Sequence, residues 1–322
     1  MIHQYKNNGY NIVLDVNSGS VHVVDDACYD VISLYEDNSK DEIMNKLKDN
    51  YSEDVISEAY DEVKELADSE LLFTEDVYKQ YITDFKKRKT VVKALCLHIA
   101  HDCNLACKYC FAEEGEYHGR RALMSIEVGK KAIDFLIANS GNRRNLEVDF
   151  FGGEPLMNWE VVKEIVRYGR SKEEEYNKNF RFTLTTNGVL LNDEVMEFVN
   201  KEMSNVVLSL DGRKEVNDEM RPFRNGKGSY DLIVPKFQKL ADSRNQTNYY
   251  VRGTFTHNNL DFSNDVIHFA DLGFKQMSIE PVVGEDDEKY AIKEKDLPVI
   301  MEEYDKLAKE FIKRKKEGNG FN

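Results

Sequence analysis

The spacing of apolar residues changes along this chain, and the change divides it into two parts. Near the N-terminus, Tyr10–Val16 and Ser20–Val24 read as short extended runs on either side of Asn17-Ser18-Gly19, a hairpin signal with glycine where positive φ is needed. Helical spacing follows near 26–36, 40–49 and 52–68, the last with Val55, Ile56, Ala59, Val63, Leu66 and Ala67 on one face. Leu71-Leu72-Phe73 reads as a strand closing the unit. The pattern predicts a small α+β domain over residues 1–76 and a linker over 77–90. Within that linker, Lys86-Lys87-Arg88-Lys89 reads as solvated chain rather than a nucleic-acid or localisation patch.

Beyond the linker, strand and helix patterns alternate over 91–322. Extended runs are Val91–Ala100, Leu146–Phe151, Phe180–Thr186, Asn205–Leu210, Tyr249–Thr256 and Lys275–Val283. Helical spacing intervenes near 125–139, 159–175, 192–202, 229–242 and 261–272, with a further stretch near 296–316. Ser125 is a good N-cap for the first of these, with Glu127 in its first turn. Repeated β–α units predict a parallel sheet with right-handed crossovers, and six of them predict a partial (β/α)6 barrel. Chemistry in such a fold gathers at the C-terminal ends of the strands.

Composition narrows the function classes. With 322 residues, 41% of them hydrophobic, the chain can bury a large core. No apolar run nears the roughly 18 residues of a membrane span. The N-terminus lacks a basic start followed by an apolar stretch, so no membrane partner is expected and the default compartment is the cytoplasm. Residues 1–85 hold 20 acidic and 6 basic side chains, which repels phosphate backbones, excludes nucleic acid as a natural partner of this part and favours a basic peptide. The five cysteines form an odd set without a secretory signal, which argues against a disulfide framework. Cys28 and Cys96 read as buried, structural residues.

Cys103, Cys107 and Cys110 fall within eight residues directly after the first strand of the alternating region. Thiolates spaced by four and three can wrap one face of a cubane cluster, satisfying three irons and leaving the fourth open to a ligand. The other reading is a structural zinc site completed by His98, His101 or His118, although such sites usually pair their cysteines as CxxC. Three further motifs stand at successive strand ends. Gly152-Gly153-Glu154-Pro155 allows close backbone approach to a ligand and offers a carboxylate, or is an ordinary strand-to-helix turn. Thr185-Thr186-Asn187-Gly188 and Ser209-Leu210-Asp211-Gly212 offer hydroxyl and amide groups, or are plain turn chemistry.

The run Cys103-Asn-Leu-Ala-Cys107-Lys-Tyr-Cys110, followed by the Gly-Gly-Glu-Pro stretch, resembles the radical S-adenosylmethionine (SAM) superfamily. The resemblance implies a [4Fe-4S] cluster on the three cysteines as the catalytic centre. SAM would be chelated at its open iron and cleaved reductively to a 5′-deoxyadenosyl radical. It implies SAM contacts from Tyr109, Gly152, Gly153, Glu154, Pro155, Thr186, Asn187, Ser209, Asp211 and Arg221. Glu154 would accept from the SAM ammonium, Tyr109 would lie near the adenine and Arg221 would pair with the SAM carboxylate. Val282, at the end of the sixth strand, is an adenine candidate by position.

The N-terminal part resembles the winged-helix-like peptide-recognition domain of enzymes that modify ribosomally made peptides, in which a leader segment adds as a strand to a sheet edge. Over its whole length the chain is similar to maturases of "six cysteines in forty-five residues" (SCIFF) peptides. That resemblance rests on HQYKNNGYNIVLDVNSGSVHVVDDACYDVI, LCLHIAHDCNLACKYCFAEEGEYHGRRALMS and VDFFGGEPLMNW. It implies thioether crosslinks formed from cysteine in a cysteine-rich precursor peptide, a reducing electron donor, and an anaerobic or strongly reducing cytoplasm. Family members carry auxiliary [4Fe-4S] clusters in a C-terminal SPASM-type domain. No cysteine follows Cys110 here, so that domain is expected to lie outside this sequence. The alternatives are a protein-residue oxidase of the anaerobic sulfatase maturase kind and a non-catalytic, zinc-stabilised peptide-binding protein.

Overall fold

The computed structural model describes residues 1–82 and 90–322. Two compact units, Met1–Lys89 and Thr90–Asn322, make up the chain. The basic run 86–89 lies outside the described residues.

The first unit opens with an antiparallel sheet of β1 (Ile2–Asn7), β2 (Tyr10–Asp15) and β3 (Val21–Val24), in that spatial order. Three helices follow, α1 (Asp26–Leu34), α2 (Lys40–Leu47) and α3 (Glu53–Asp68). The sequence reading missed β1, although its signal is present. Asn8 and Gly9 both take positive φ, 48° and 81°, as a two-residue hairpin between right-twisted strands requires. Leu71-Leu72-Phe73 is not a strand. The amides of Leu71 and Leu72 bond back to the Leu66 carbonyl and close the end of α3, which buries Leu72. Val13, Val31, Ile43, Ile56 and Val63 fill the core of this unit. Cys28 belongs to it as well, its thiol donating to Glu62 at 3.3 Å and pushed up to about 12 by burial.

The second unit carries β4 (Ala94–His101), β5 (Ala122–Leu123), α4 (Ile126–Asn139), β6 (Asn145–Gly152), α5 (Trp159–Tyr176), β7 (Asn179–Thr186) and α6 (Asp193–Glu202). It continues with β8 (Met203–Ser209), α7 (Lys214–Met220), α8 (Tyr230–Ser243), β9 (Tyr249–Phe255), α9 (Ser263–Asp271), β10 (Met277–Pro281) and α10 (Leu297–Lys316). The sheet order is β5-β4-β6-β7-β8-β9-β10, with β5 alone antiparallel to its neighbour. Apart from β5 the strands lie in chain order with no reversal, so the sheet is wound in one direction, as in a partial (β/α)6 barrel. Side-chain caps fix helix starts: Ser125 accepts from the Val128 amide, as the sequence promised, and Asn192 accepts from Val195.

Alternate strand residues pack on the helices. Leu97, Ile99, Val148, Phe150, Phe180, Phe182, Leu184, Val206, Leu208 and Val251 are buried there with Ile133, Ile165, Val199 and Phe237 from the helices. Each such side chain contributes about 1.5–3 kcal/mol. The intervening residues take the opposite face of the sheet, which corrects the reading of Cys96. It is exposed, because its neighbours Leu97 and Ile99 occupy the helix side. Among the described residues no helix is long and apolar enough to cross a membrane.

Candidate active site

The strand order places the loops after β4, β6, β7, β8 and β9 side by side at one end of the sheet. A cavity of about 470 Å³ lies there, within the roughly 300–1,000 Å³ of small-molecule sites. Its wall contains Cys103, Cys107, Tyr109, Cys110, Gly152, Gly153, Glu154, Pro155, Thr186, Asn187, Ser209 and Arg221. Of the cluster ligands and SAM contacts that the resemblance implied, only Asp211 does not line it; this aspartate is fully buried behind Tyr109 and Arg221.

The cysteine loop is strapped to a distant part of the chain. The amides of Ala106 and Lys108 bond to the carbonyls of Pro222 and Met220, at 2.9 Å each, and Leu105 bridges Phe223. Arg224 donates to Asp102 Oδ1 at 2.9 Å and to the Cys103 carbonyl at 2.5 Å. This strap brings Arg221 against the cysteines.

The two motif glycines serve the chain's own packing. A Cβ on Gly152, whose φ is 120°, would stand 2.5 Å from the Ala100 carbonyl oxygen. One on Gly153 would stand 2.1 Å from that of Asp102. Their absence lets the end of β6 close on the root of the cysteine loop, with Gly153 N bonded to Ala100 O at 2.7 Å and Glu154 N to Asp102 O at 2.9 Å.

Glu154 braces the next motif. Its carboxylate accepts from Leu156 N at 3.0 Å, Thr186 Oγ1 at 2.7 Å and Asn187 N at 2.8 Å. Burial pushes this carboxyl above the ordinary range, against the pull of those bonds. Three of its roughly four acceptor sites are thus taken by the chain. Asn187 in turn reaches Asn104 Oδ1 at 2.7 Å and Cys103 Sγ at 3.6 Å, and Leu105 N lies 3.5 Å from the same sulfur. N–H groups aimed at a ligating sulfur are a recognised means of tuning a cluster.

Behind the cysteines lies a buried polar group of three. Tyr109 donates to Asp211 Oδ2 at 2.6 Å and accepts from Arg221 Nη1 at 2.9 Å; Arg221 Nη1 is 3.9 Å from Asp211 Oδ1. Arg221 Nε is buried without a partner. Burial pushes the Cys103 thiol to about 12 and the Cys107 thiol to about 11, with Arg221 pulling both down. Thiols this reluctant to ionise alone gain from a cationic partner.

Sequence reading missed Asn104, Arg224, Phe151, Gly115, Thr254, Arg252 and Glu280. The last two form an ion pair of 2.6 Å in the cavity wall, on adjacent strands. Their signal was positional, since each sits near the C-terminal end of its strand on the face away from the helices. Val282, named only by position, does line the cavity.

The wall fits a cluster and its ligand. It combines three cysteines, glycine-permitted loop closure and a buried, unpaired guanidinium N–H. Among the described residues no three His, Cys, Asp or Glu converge on a single-ion site. Thiolates that each take a separate iron of a cubane have no need to converge in that way.

A one-directional α/β barrel with three cysteines at the mouth of its first strand defines an iron–sulfur barrel protein. The match of residues 97–261 to the radical SAM superfamily, about half the chain, makes the assignment specific: the chain belongs to that superfamily, and its cofactors are a [4Fe-4S] cluster and SAM. An uncharacterised protein of Methanocaldococcus jannaschii is 30% identical over 190 residues, 59% of this chain and 62% of its own length. The radical SAM cyclopropyl synthase TigE of Paramaledivibacter caminithermalis is 26% identical, over 56% of this chain and 39% of its own. The cysteine-type anaerobic sulfatase-maturating enzyme of Clostridium novyi is 29% identical, over 43% and 37%. The chain therefore spans less than two thirds of each of these relatives. Among solved structures, anSMEcpe with bound AdoMet overlays with a TM-score of 0.63 at 20% identity, covering 72% of this chain and 63% of that one. Streptococcus suis SuiB bound to precursor peptide SuiA overlays at 0.53 and 14% identity, covering 98% and 69%. At these identities the structural likeness is one of fold.

Proposed function

We propose that this chain carries the SAM-cleaving and leader-recognising parts of a peptide maturase that installs thioether crosslinks from cysteine in a cysteine-rich precursor peptide. In that reaction a C–H and an S–H give way to a C–S bond, so the peptide loses two hydrogens and is oxidised by two electrons, with SAM, cleaved to methionine and 5′-deoxyadenosine, as the overall two-electron acceptor. The single observation that carries the reading is the union of a radical SAM barrel with a small sheet whose outer strand is unpaired. β3 is an edge strand, and Val21 and Val23 stand 62% and 64% exposed on it. Such an edge is suited to main-chain pairing with an extended leader segment, and the acidic character of residues 1–85 suits a basic one. The likeness to SuiB supports this reading because its coverage of 98% has to include both units.

In this reading Cys103, Cys107 and Cys110 hold the cluster. When bound, the cluster and SAM supply one-electron reduction and a hydrogen-abstracting group. The chain's own residues bind and orient. Asn187 and the Leu105 amide bond the Cys103 sulfur, Glu154 fixes Thr186 and Asn187, and Arg221 offers Nε to the SAM carboxylate. Glu154 has one acceptor site left for the SAM ammonium, and Val282 walls the adenine. Phe151, Arg252 and Glu280 line the same cavity and are the side chains offered to substrate.

The second reading is oxidation of a residue in a protein substrate, and the likeness to the cysteine-type anaerobic sulfatase-maturating enzyme of Clostridium novyi supports it. It is favoured by the anSMEcpe overlay, whose coverage of 72% equals the share of the chain held by Thr90–Asn322. Both readings are tested by incubating the reconstituted protein with SAM, dithionite and candidate peptides and following peptide mass. Loss of two hydrogens with loss of a free thiol supports crosslinking. A new carbonyl trapped by a hydrazine reagent, with two hydrogens lost at a serine or with two hydrogens lost and sulfur exchanged for oxygen at a cysteine, supports residue oxidation. Val23→Pro, which spoils the β3 edge, should weaken precursor binding while leaving peptide-independent 5′-deoxyadenosine formation intact. Equal peptide affinity in this variant would refute leader recognition by β3.

A further inference from the structure

Arg221 is held at a distance from its natural counter-ion. Asp211 is fixed by two donors, Tyr109 OH at 2.6 Å and the Thr254 amide of β9 at 3.2 Å. The same hydroxyl accepts from Arg221 Nη1, so it lies between guanidinium and carboxylate and keeps them 3.9 Å apart. A direct Arg–carboxylate hydrogen bond would close to roughly 2.7–2.9 Å. What the separation leaves is a buried guanidinium in the cavity wall with an unpartnered Nε–H. A buried N–H without an acceptor is costly, and a ligand that supplies one is favoured by the difference. The acceptor chemistry that best suits a buried guanidinium edge is a carboxylate.

We propose that the Tyr109 hydroxyl and Asp211 are positioning residues, a buried spacer and anchor that keep Arg221 turned toward the SAM carboxylate. This rests on the assignment of that carboxylate to Arg221. It moves Asp211 from a SAM contact to a support, and gives Tyr109 a role in its hydroxyl beyond any contact made by its ring. Removing the hydroxyl leaves Arg221 free to collapse onto Asp211, turning its guanidinium away from the cavity wall. The Cys107–Tyr109–Cys110 backbone would be undisturbed.

The test compares wild type with Tyr109→Phe, Asp211→Asn and Arg221→Gln, each reconstituted anaerobically. Iron and sulfide content and thermal unfolding are measured alongside. Equilibrium binding is read for SAM and for decarboxylated SAM, which lacks only the carboxylate. In Tyr109→Phe and Arg221→Gln, SAM affinity should fall roughly tenfold and decarboxylated SAM should change less than about twofold. If Tyr109→Phe weakens both ligands alike, or neither, the positioning role is wrong. If Arg221→Gln leaves the ratio of the two affinities at the wild-type value, the assignment of the carboxylate to Arg221 is wrong instead. Should Tyr109→Phe hold less iron than wild type, Asp211→Asn makes the same comparison with the cysteine loop unaltered, and an unchanged ratio there overturns the proposal.

Discussion

Gly153→Ala should empty the cluster site without touching a cysteine. The added Cβ would meet the Asp102 backbone at 2.1 Å from O and 2.6 Å from C, against a floor of 3.0 Å for real Cβ contacts. Asp102 must therefore retreat by about 0.9 Å, the difference between 3.0 and 2.1 Å, because backbone atoms cannot swing aside as a side-chain end does. Cys103 is the next residue, and two bonds lock this junction, Gly153 N to Ala100 O and Glu154 N to Asp102 O. Overpacking of this kind costs about 1–3 kcal/mol, while a functional constellation tolerates errors of only about 0.5 Å. Iron and acid-labile sulfide per chain after reconstitution should fall below about half of wild type, with a modest fall in the unfolding midpoint. Gly169→Ala is the matched control. Its Cβ would stand 2.8 Å from the ring of Phe182, in the helix–sheet core. It should lose about 1–2 kcal/mol of stability and keep its full iron. A Gly153→Ala protein with a complete cluster, or a Gly169→Ala protein equally short of iron, would refute the reasoning.

Cys107→Ala should abolish stable cluster binding, since two thiolates hold a cubane poorly, and unchanged iron content in that variant would overturn the ligand assignment. Glu154→Ala strands three buried donors, Leu156 N, Thr186 Oγ1 and Asn187 N, and should destabilise the barrel by about 3–5 kcal/mol in chemical denaturation; a shift under about 1 kcal/mol would mean that the bracing is unimportant. In the N-terminal unit, burial pushes the Asp15 carboxyl up, but bonds from Thr74 N, Thr74 Oγ1 and Asn17 N more than reverse this and leave it below its ordinary value. The unfolded state then takes up the proton first. This contribution to stability is present above about pH 4 and fades as pH falls below it. Denaturation of Asp15→Asn across that range should lose this part of the pH slope, and an unchanged slope would assign it elsewhere.

The sequence by itself determined the elements and the cofactor. Period-two and helical runs marked all six parallel strands and the longer helices between them, but not the short α7 and β5, because each strand must bury one face on helices and each long helix one stripe on the sheet. The cysteine spacing needed no tertiary information, since three thiolates within a span of eight residues can reach one cluster from a single loop. Local signals also existed where reading fell short. Asn8-Gly9 announced the hairpin that makes β1, and Leu71–Phe73 was too short a run to separate a strand from a helix-end closure.

Alternation says that a strand has two faces but not which one meets the helices, so Cys96 was placed inside when the packing of Leu97 and Ile99 turns it out. The roles within the site were likewise decided by the fold. Asn187 meets Cys103 across 84 positions, Tyr109 meets Asp211 across 102 and Arg224 meets the Cys103 carbonyl across 121. Strand order brings those loop ends together, and no local pattern encodes a contact between residues that far apart. For the same reason the glycines read as room for a ligand prove to be room for the Ala100–Asp102 backbone. Asp211, read as a SAM contact, is fully buried, bonded to Tyr109 at 2.6 Å and 3.9 Å from Arg221. A residue's type limits the chemistry available to it; which partner it meets depends on how the barrel closes around the site.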